Sequence, residues 1–456
     1  MHYEKFQDGT VKCIEDEIPF ELPEGWSWTR LGSLFSTITG STPSTKDASL
    51  YGDEYPFYKP TDLDAGFDVC VSEDTVSEKG YKNGRILPMY SVLVTCIGAT
   101  IGKTGYIKNS GICNQQINAI LPNTFILPEY TYFCMCSEFE QQQIWTNSSA
   151  TTLPILNKSK FDILFFPVPP KAQQTRTVER IKELLHFVEI IQQEKRTLQE
   201  TIKLTKSKIL DLAIRGKLVP QDPNDEPASV LLERIRSEKE ELIKQGKIKR
   251  DKKESVIFKG DDNSYYLRTG GVEESLENWR FDDLPETWKI CCLGELCDYG
   301  DCINVNTEDI AEDAWILDLE DIEKDTGMVL KKVTKAQRNS VSTKHKFHSG
   351  QVLYSKLRPY LNKVVLSDAD GYCTSEILPL EFKNCVLPEY ARYYLMSGTF
   401  ITYANHCSYG VKMPRLGTTD GKKAIFSLPP LSEQKCIVET IDFCFMQLNK
   451  ISEALA

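Results

Sequence analysis

The sequence predicts an α+β protein in which two similar mixed α/β domains are separated by long antiparallel coiled-coil helices, with approximate two-fold symmetry. An internal repeat and two apolar helical stripes support this fold class. Three motifs recur in the same order about 260 residues later: Leu22-Pro23-Glu24-Gly25-Trp26 as Leu284-Pro285-Glu286-Thr287-Trp288, Leu127-Pro128-Glu129-Tyr130 as Leu387-Pro388-Glu389-Tyr390, and Pro169-Pro170 as Pro429-Pro430. Such ordered duplication predicts two domains with one fold.

An apolar stripe follows each Pro-Pro pair. In both copies a pair of polar residues lies between the prolines and the stripe, and Gln173-Gln174 aligns with Glu433-Gln434. The stripes are Val178, Ile181, Leu185 and Val188, and then Val438, Ile441, Phe445 and Leu448. Spacings of three, four and three residues are typical of the seam of a coiled coil. One isolated globular helix would show the same stripe, but two copies at matched positions favour a helix pair.

The first helix is predicted from about Lys171 to Arg215, because Gly216 is a typical C-terminal stop. Roughly 45 residues at about 1.5 Å each would make a rod on the order of 65 Å long. A second helix is predicted from about Ala228 to Gln245, followed by a basic run and a polar linker that ends near Asn278.

Five segments follow from these patterns. They are an N-terminal arm at 1–20, a first domain at 21–170, a central helical spacer at 171–257, a linker with the second domain at 258–430, and at 431–456 a C-terminal helix that pairs with the central helix. Apolar runs at 92–97 and 352–354 predict strands, and short helices are expected near 128–143 and 388–400.

Charge is distributed unevenly along the chain, whose formal net charge is −11. Both predicted domains are acidic and the central segment is basic. Because strong nucleic-acid binders are usually basic, any phosphate-binding surface must be local. The 15 cysteines form no CxxC pair and are expected to be free thiols in a reducing compartment, which makes the cytoplasm the expected location. No membrane-spanning segment is predicted.

The sequence predicts no catalytic or metal site. The run from Gly98 to Thr104 is similar to a phosphate-binding loop, but Ile97 stands where that motif needs glycine. His345 and His348 have no evident carboxylate or cysteine partner, so solvated loop histidines are the favoured interpretation. Sequence signatures of serine hydrolases, zinc proteases and amino-methyltransferases are not found.

Further motifs follow one another in a distinctive order. The most specific is Ile214-Arg215-Gly216-Lys217-Leu218-Val219-Pro220-Gln221-Asp222-Pro223 with Glu226-Pro227-Ala228. Others are Lys59-Pro60-Thr61-Asp62-Leu63, Asn114-Gln115-Gln116-Ile117-Asn118-Ala119-Ile120 and Leu428-Pro429-Pro430-Leu431-Ser432-Glu433-Gln434. In order and duplication they resemble the motifs of Type I restriction enzyme specificity subunits, over nearly the whole chain. The second domain departs from the pattern, with Lys356–Lys363 and Thr374-Ser375-Glu376 at the corresponding places.

This resemblance implies a non-catalytic subunit with two target-recognition domains, each reading one half of a bipartite, asymmetric site in double-stranded DNA. The helices would fix the gap between the half-sites and dock two methyltransferase (modification) subunits. A separate restriction and translocase subunit would complete the complex. S-adenosylmethionine, ATP and Mg are expected on those partners, and no cofactor is expected on this chain.

Side-chain chemistry selects the candidate DNA contacts. In the first domain, Lys59, Thr61, Lys103 and Lys158 are expected at phosphates, Asn114, Gln115 and Gln116 at adenine edges, and Thr151, Thr152 and Asn157 in a polar loop near a groove. In the second domain the candidates are Tyr354, Lys356, Arg358, Lys363, Lys412 and Arg415, of which Arg358 and Arg415 are expected to read guanine.

Two alternatives stay open at the level of sequence. A duplicated scaffold that binds protein would suit the acidic charge. A single-chain DNA methyltransferase or nuclease would need catalytic motifs and usually several hundred more residues. Salt-dependent DNA binding by the assembled complex would separate a DNA reader from a scaffold.

Overall fold

The structure, a computed structural model, describes residues 3–6, 8–18, 20–149, 153–247, 255–262, 264–276, 284–338 and 341–455. The chain divides into two compact units, Met1–Gln192 and Gln193–Ala456, called the first and the second unit below. The division falls inside one long helix, Lys171–Ala213. In the described part of the chain, no helix is both long enough and apolar enough to cross a membrane.

The first unit contains short strands, several short helices and the start of the long helix. Its strands are β1 (Tyr3–Lys5), β2 (Val11–Cys13), β3 (Ser27–Arg30), β4 (Thr37–Thr39), β5 (Tyr51–Tyr58), β6 (Asp74–Val76), β7 (Val92–Thr95), β8 (Thr104–Tyr106), β9 (Ile112–Cys113), β10 (Ile117–Ile120) and β11 (Phe165–Val168). Its helices are α1 (Leu31–Leu34), α2 (Glu78–Asn83), α3 (Pro128–Met135), α4 (Glu138–Asn147), α5 (Lys158–Asp162) and α6 (Lys171–Ala213).

The core of the first unit lies around an antiparallel sheet in the order β4-β10-β7-β8. Strands β7 and β10 are buried on both faces, which explains their continuous apolar sequences. A second sheet has the order β6-β5-β9, with a parallel pair between β5 and β9. Strands β3 and β11 pair with each other and bring the start of the domain beside its end.

The second unit contains a similar set of elements. Its strands are β12 (Ser255–Lys259), β13 (Tyr265–Thr269), β14 (Val272–Ser275), β15 (Lys289–Cys292), β16 (Ile303–Val305), β17 (Trp315–Leu317), β18 (Val333–Thr334), β19 (Lys344–Phe347), β20 (Val352–Ser355), β21 (Val364–Leu366), β22 (Gly371–Thr374), β23 (Ile377–Leu380) and β24 (Ile425–Leu428). Its helices are α7 (Ala228–Lys244), α8 (Leu293–Leu296), α9 (Pro388–Leu395), α10 (Gly398–His406), α11 (Thr418–Lys423) and α12 (Leu431–Ala454).

Strand register demonstrates that the two units share a fold. Val92 pairs with Ile120 on one side and Tyr106 on the other, and Val352, 260 residues later, pairs with Leu380 and Leu366. The parallel pair of β5 and β9 recurs as β17 and β22. The pair of β3 and β11 recurs as β15 and β24. The predicted duplication of mixed helix and strand domains is therefore confirmed.

Local sequence explains where the short helices begin. Pro128 and Pro388 occupy the first turn of α3 and α9, where a missing N–H costs nothing. Ser137 and Ser397 accept hydrogen bonds from the backbone N–H of Glu140 and Phe400 at the starts of α4 and α10. The predicted short helices near 128 and 388 are each split in two by these serine caps.

The long helix ends close to its predicted end. It stops at Ala213, and Gly216 adopts a positive φ of 65°, which glycine tolerates without a steric penalty. In the second unit its last turns pack with α12, where Leu210, Ile437 and Ile441 belong to one buried cluster. Lys206 Nζ donates to Asn449 Oδ1 at 2.6 Å. The stripe predicted on the first turns is only partly buried, because Leu185 and Val188 are about half exposed.

The predicted polar linker contains folded structure. Strands β12, β13 and β14 form an antiparallel sheet inside it. Ile257 and Leu267 of this sheet are buried with Ile290 and Ile425 of β15 and β24. The segment is therefore attached to the second domain, and the interpretation of residues up to Asn278 as a linker is wrong for 255–276.

Candidate nucleic-acid interface

A shallow pocket of about 260 Å³ lies on the first unit, where several predicted site residues meet. It is lined by Lys59, Pro60, Thr61, Ile97, Gly98, Ala99, Thr100 and Gln116. The lining comes from the end of β5, the turn after β7 and the turn before β10. Lys59, Thr61 and Gln116, far apart in sequence, therefore face one surface.

The three lysines predicted to contact phosphates in the first unit each pair with an acidic neighbour. Lys59 forms an ion pair with Asp74, and this contact raises the pKa of its ammonium group. Lys103 Nζ lies 2.6 Å from Asp64 Oδ1, and Lys158 pairs with Asp162 one turn along α5. An incoming phosphate would have to compete with these carboxylates. Part of the acidic composition of the domain is therefore explained by aspartates that pair with these lysines.

The three neighbouring amides behave differently from one another. Asn114 is buried, and its Nδ2 donates to Gln116 Oε1 at 2.9 Å, so it orients Gln116 and is not free to read adenine. Gln115 is exposed and accepts a hydrogen bond from Thr42 Oγ1. Gln116 lines the pocket. The predicted amide cluster is present, but its buried member, Asn114, supports Gln116 and does not face solvent.

The polar loop before α5 is only partly described. Thr151 and Thr152, both predicted contacts, lie outside the described residues. Asn157 caps α5 by accepting a hydrogen bond from Lys160 N at 2.9 Å. Ser149 N donates to Ile155 O at 2.9 Å, and Leu156 N donates to Cys96 O at 2.8 Å. These bonds fix the second half of the loop beside the pocket.

The same loop framework recurs in the second unit. Gly98 N donates to Pro154 O at 3.0 Å, and Arg358 N, 260 residues later, donates to Pro414 O at 2.7 Å. Gly98 has a φ of 105° and Arg358 a φ of 51°, so arginine occupies a left-handed position that usually favours glycine. Arg358 is thereby held at the surface that corresponds to the pocket of the first unit.

Arg415 forms a two-pronged ion pair with Glu376. Its Nη2 lies 2.7 Å and its Nε 3.0 Å from Glu376 Oε1. This hydrogen bonding raises the pKa of the guanidinium, which stays charged at any physiological pH. Arg415 corresponds to Ile155, because both form the same two isolated β-bridges. Arg415 pairs with Leu357 and Tyr409, and Ile155 pairs with Ile97 and Ser149. Glu376 occupies the position equivalent to Gln116, as the sequence alignment predicts, but it is not among the predicted contacts.

The remaining basic candidates of the second unit differ in accessibility. Lys412 is exposed in the same loop as Arg415. Lys356 is half-buried, and its backbone carbonyl accepts a hydrogen bond from Leu416 N at 3.0 Å. Lys363 Nζ donates to Leu319 O at 2.6 Å, and burial lowers the pKa of its ammonium group. Lys363 is therefore tied to the backbone of its own domain.

Two sequence interpretations are corrected by burial. Tyr354, a predicted DNA contact, is 3 % exposed and packs edge-on against Phe400, because β20 is the middle strand of its sheet and packs against α9. His345 is a buried residue of β19 and not a loop residue. Its Nδ1 lies 2.8 Å from Ile377 O. Within the described ranges, no three His, Cys, Asp or Glu side chains converge as metal ligands do.

Two copies of one mixed domain, each with a polar loop surface and each followed by a helix, define a duplicated binding protein. The chain belongs to the family described as Type I restriction modification DNA specificity domain, whose sequence model matches residues 23–200 and 285–454. Each match covers one of the two copies.

Named relatives agree with this assignment. The chain is similar to the specificity subunit of the Type I restriction enzyme EcoDI of Escherichia coli, with 22 % identity over 440 residues, 95 % of this chain and 84 % of the relative. It is also similar to the EcoAI specificity subunit of the same species, with 24 % identity over 98 % of this chain and 82 % of the relative.

Solved structures support the fold. The HsdS subunit of Thermoanaerobacter tengcongensis superposes with a TM-score of 0.54 at 16 % identity, covering 96 % of this chain and 94 % of that chain. A chain from a structural study of complex assembly and conformational transition in the type I R-M system superposes with a TM-score of 0.57, also at 16 % identity and with the same coverage.

Proposed function

We propose that this chain is the DNA sequence-recognition subunit of a Type I restriction–modification complex. Each unit reads one half of a bipartite, asymmetric double-stranded site. The observation that carries this proposal is a shared backbone framework with unlike surface side chains: Gln116 and Ile155 in the first unit correspond to Glu376 and Arg415 in the second. Two domains with one fold and different reading surfaces suit a site whose halves differ in sequence.

The spacing between half-sites is assigned to the helices. Contacts between the end of α6 and α12, such as the bond from Lys206 to Asn449, support a helix pair. We place the pairing as an antiparallel coiled coil with approximate two-fold symmetry between the two domains. A rigid helical spacer would fix the number of unread base pairs between the two half-sites.

Partner subunits are assigned to an exposed apolar face of α6. This face, called the α6 apolar face, consists of Leu184, Phe187, Val188 and Ile191, all between 48 % and 64 % exposed. Helical geometry places these four side chains within about 100° of one another. So much exposed apolar surface is unusual for an unpartnered helix and suits docking of two modification subunits. A restriction and translocase subunit would join the same complex.

Chemistry is assigned to the partners. S-adenosylmethionine, ATP and Mg would be held by the modification and restriction subunits, and this chain would bind none of them. The paired lysines of the first unit also suggest that partners supply many of the phosphate contacts. DNA modification places the complex in the cytoplasm. A protein-binding scaffold is the alternative, and salt-dependent DNA binding by the assembled complex separates it from a DNA reader.

Methylation mapping tests the proposal. The chain is co-expressed with its neighbouring modification subunit, and methylated bases are mapped by single-molecule sequencing. One split motif with two unlike halves is expected, and it should vanish when the gene for this chain is deleted. Methylation that persists at the same motif without this chain would overturn the proposal, as would DNA binding by the complex that is insensitive to salt.

A further inference from the structure

The position of Ile155 in the first unit and of Arg415 in the second is built by the same backbone and carries opposite chemistry. Each lies one residue after a proline whose carbonyl is fixed by the turn that contains Gly98 or Arg358. Ile155 is 38 % exposed, and the Arg415 side chain is 33 % exposed. Both side chains are therefore reachable from solvent at the same point of the fold.

We infer that this position selects one base pair in each half of the DNA site, and that Glu376 positions Arg415 for that purpose. Arg415 reads guanine, and Ile155 packs against a thymine methyl group. The inference rests on the proposed function and identifies the side chains that determine which base is preferred.

The geometry of Arg415 leaves one edge for a ligand. Glu376 occupies the edge formed by Nε and Nη2, at 3.0 and 2.7 Å from Oε1. On the other edge, Nη1 makes only a long contact of 3.4 Å with Met413 O. Guanine presents O6 and N7 to a pair of donors such as Nη1 and Nη2. An arginine already fixed by a carboxylate loses less side-chain entropy when it binds.

The first unit supplies an internal comparison. Cys96 N donates to Gln116 O at 2.7 Å, and Lys356 N donates to Glu376 O at 3.0 Å, so Gln116 and Glu376 are equivalent. Where the reading residue is isoleucine, its neighbour is a neutral amide. Where it is arginine, the neighbour is a carboxylate. The charged pair therefore occurs together, as expected if Glu376 serves Arg415.

An ion pair with a purely structural role would behave differently. Partly exposed ion pairs contribute little to stability, and removing one with only that role would leave base preference unchanged. Leu153 extends the apolar character beside Ile155, since it is 56 % exposed. Exposed aliphatic side chains make no hydrogen bonds to water, and they can make an apolar contact with a thymine methyl group.

The experiment uses the full chain in complex with its modification subunits, on DNA libraries in which each half-site is randomised in turn. Arg415→Ala should lower discrimination roughly ten- to a hundredfold at one guanine of the second half-site and leave the first half-site unchanged. Ile155→Ala should lower discrimination at one thymine of the first half-site and leave the second half-site unchanged. Arg415→Lys keeps the charge but cannot form the fork, so it should lose the same preference. Glu376→Gln should weaken it in part.

Lys412→Ala is the matched control from the same loop. It should weaken binding on all sequences alike, with the salt slope reduced by about 1 and the motif kept. If Arg415→Ala or Arg415→Lys keeps the parental motif, the inference is overturned although a bipartite motif still supports the proposed function. If the parental complex shows no sequence preference at all, the proposed function itself fails.

Discussion

Gln434 Oε1 accepts a hydrogen bond of 2.8 Å from the backbone N–H of Leu387. Its Nε2 donates to the backbone oxygens of Cys385 and Pro429 at 2.9 and 3.0 Å. One fully buried amide thus joins the segments that precede α9 and α12. Gln174 accepts the matching bond from Leu127 at 2.8 Å and donates to Pro169 at 3.0 Å. The repeat is therefore conserved inside the chain down to single hydrogen bonds.

Gln434→Ala should destabilise the second unit by about 1–3 kcal/mol, because it leaves a buried N–H and buried carbonyls without partners. Denaturant unfolding of the full chain measures the effect. Lys435→Ala, at the exposed neighbouring position, should stay within about 0.5 kcal/mol of the parent. If Gln434→Ala had the same free energy of unfolding as Lys435→Ala and the parent, the buried amide would be dispensable.

The repeat, both long helices and the alignment of Gln174 with Gln434 could be predicted from the sequence, because they depend on local spacing. Contacts set by distant strands could not. Arg415 and Glu376 are 39 residues apart, and only the pairing of β20 with β23 and the bridges to Leu357 bring them together. The strands at 255–275 are short and mix apolar with polar residues, and the burial of Ile257 and Leu267 depends on β15 and β24.

The α6 apolar face gives a prediction about assembly. Phe187→Glu with Ile191→Glu should prevent co-purification with the modification subunit, because two apolar contacts are lost and two carboxylates would be buried without partners. Two such contacts are worth about 4 kcal/mol, so affinity should fall roughly a thousandfold or more. Titration of the purified subunits by calorimetry measures it.

The control for that prediction lies on the opposite side of the same helix. His186→Glu with Gln193→Glu adds the same two carboxylates at exposed positions about 180° away. This variant should assemble like the parent. If both variants assembled normally, α6 would not be the docking helix, and if both failed, charge alone would explain the loss.

Glu140 gives a prediction about pH. It is fully buried, its Oε2 accepts a hydrogen bond from Gln143 Nε2 at 3.1 Å, and burial raises its pKa well above 4.5. Above pH 4.5 or so the unfolded chain ionises this carboxyl while the folded unit keeps it protonated, so folding takes up a proton. Stability then falls by about 1.4 kcal/mol per pH unit until the folded pKa is reached.

Glu140→Gln cannot ionise and should lack this slope. Relative to the parent in denaturant, its free energy of unfolding should become steadily larger, so that the variant gains relative stability, as the pH rises from 5 to 7. Glu138→Gln, at an exposed position of the same helix, should follow the pH profile of the parent. Parallel profiles for Glu140→Gln and the parent would mean that Glu140 is ionised in the folded unit.

The burial of Tyr354 gives the last prediction. Its ring lies 5.6 Å from that of Phe400, and its hydroxyl has no hydrogen-bond partner among the described residues. Tyr354→Phe keeps the ring and removes a buried hydroxyl that loses its hydrogen bonds to water on folding and gains none in return. Stability should therefore be unchanged or about 1 kcal/mol higher. Tyr390→Phe is the matched control. Its hydroxyl donates to Ser427 O at 3.0 Å, so this variant should lose about 1 kcal/mol.

The two phenylalanine variants also separate structure from recognition at β20. Because Tyr354 is 3 % exposed, Tyr354→Phe should leave the methylated motif of the complex unchanged, in contrast to the substitutions at Arg415. A changed motif would return Tyr354 to the DNA surface and require β20 to move when DNA binds. Equal destabilisation of Tyr354→Phe and Tyr390→Phe would instead show that the Tyr354 hydroxyl is hydrogen-bonded in solution, so that its burial carries no penalty to be relieved.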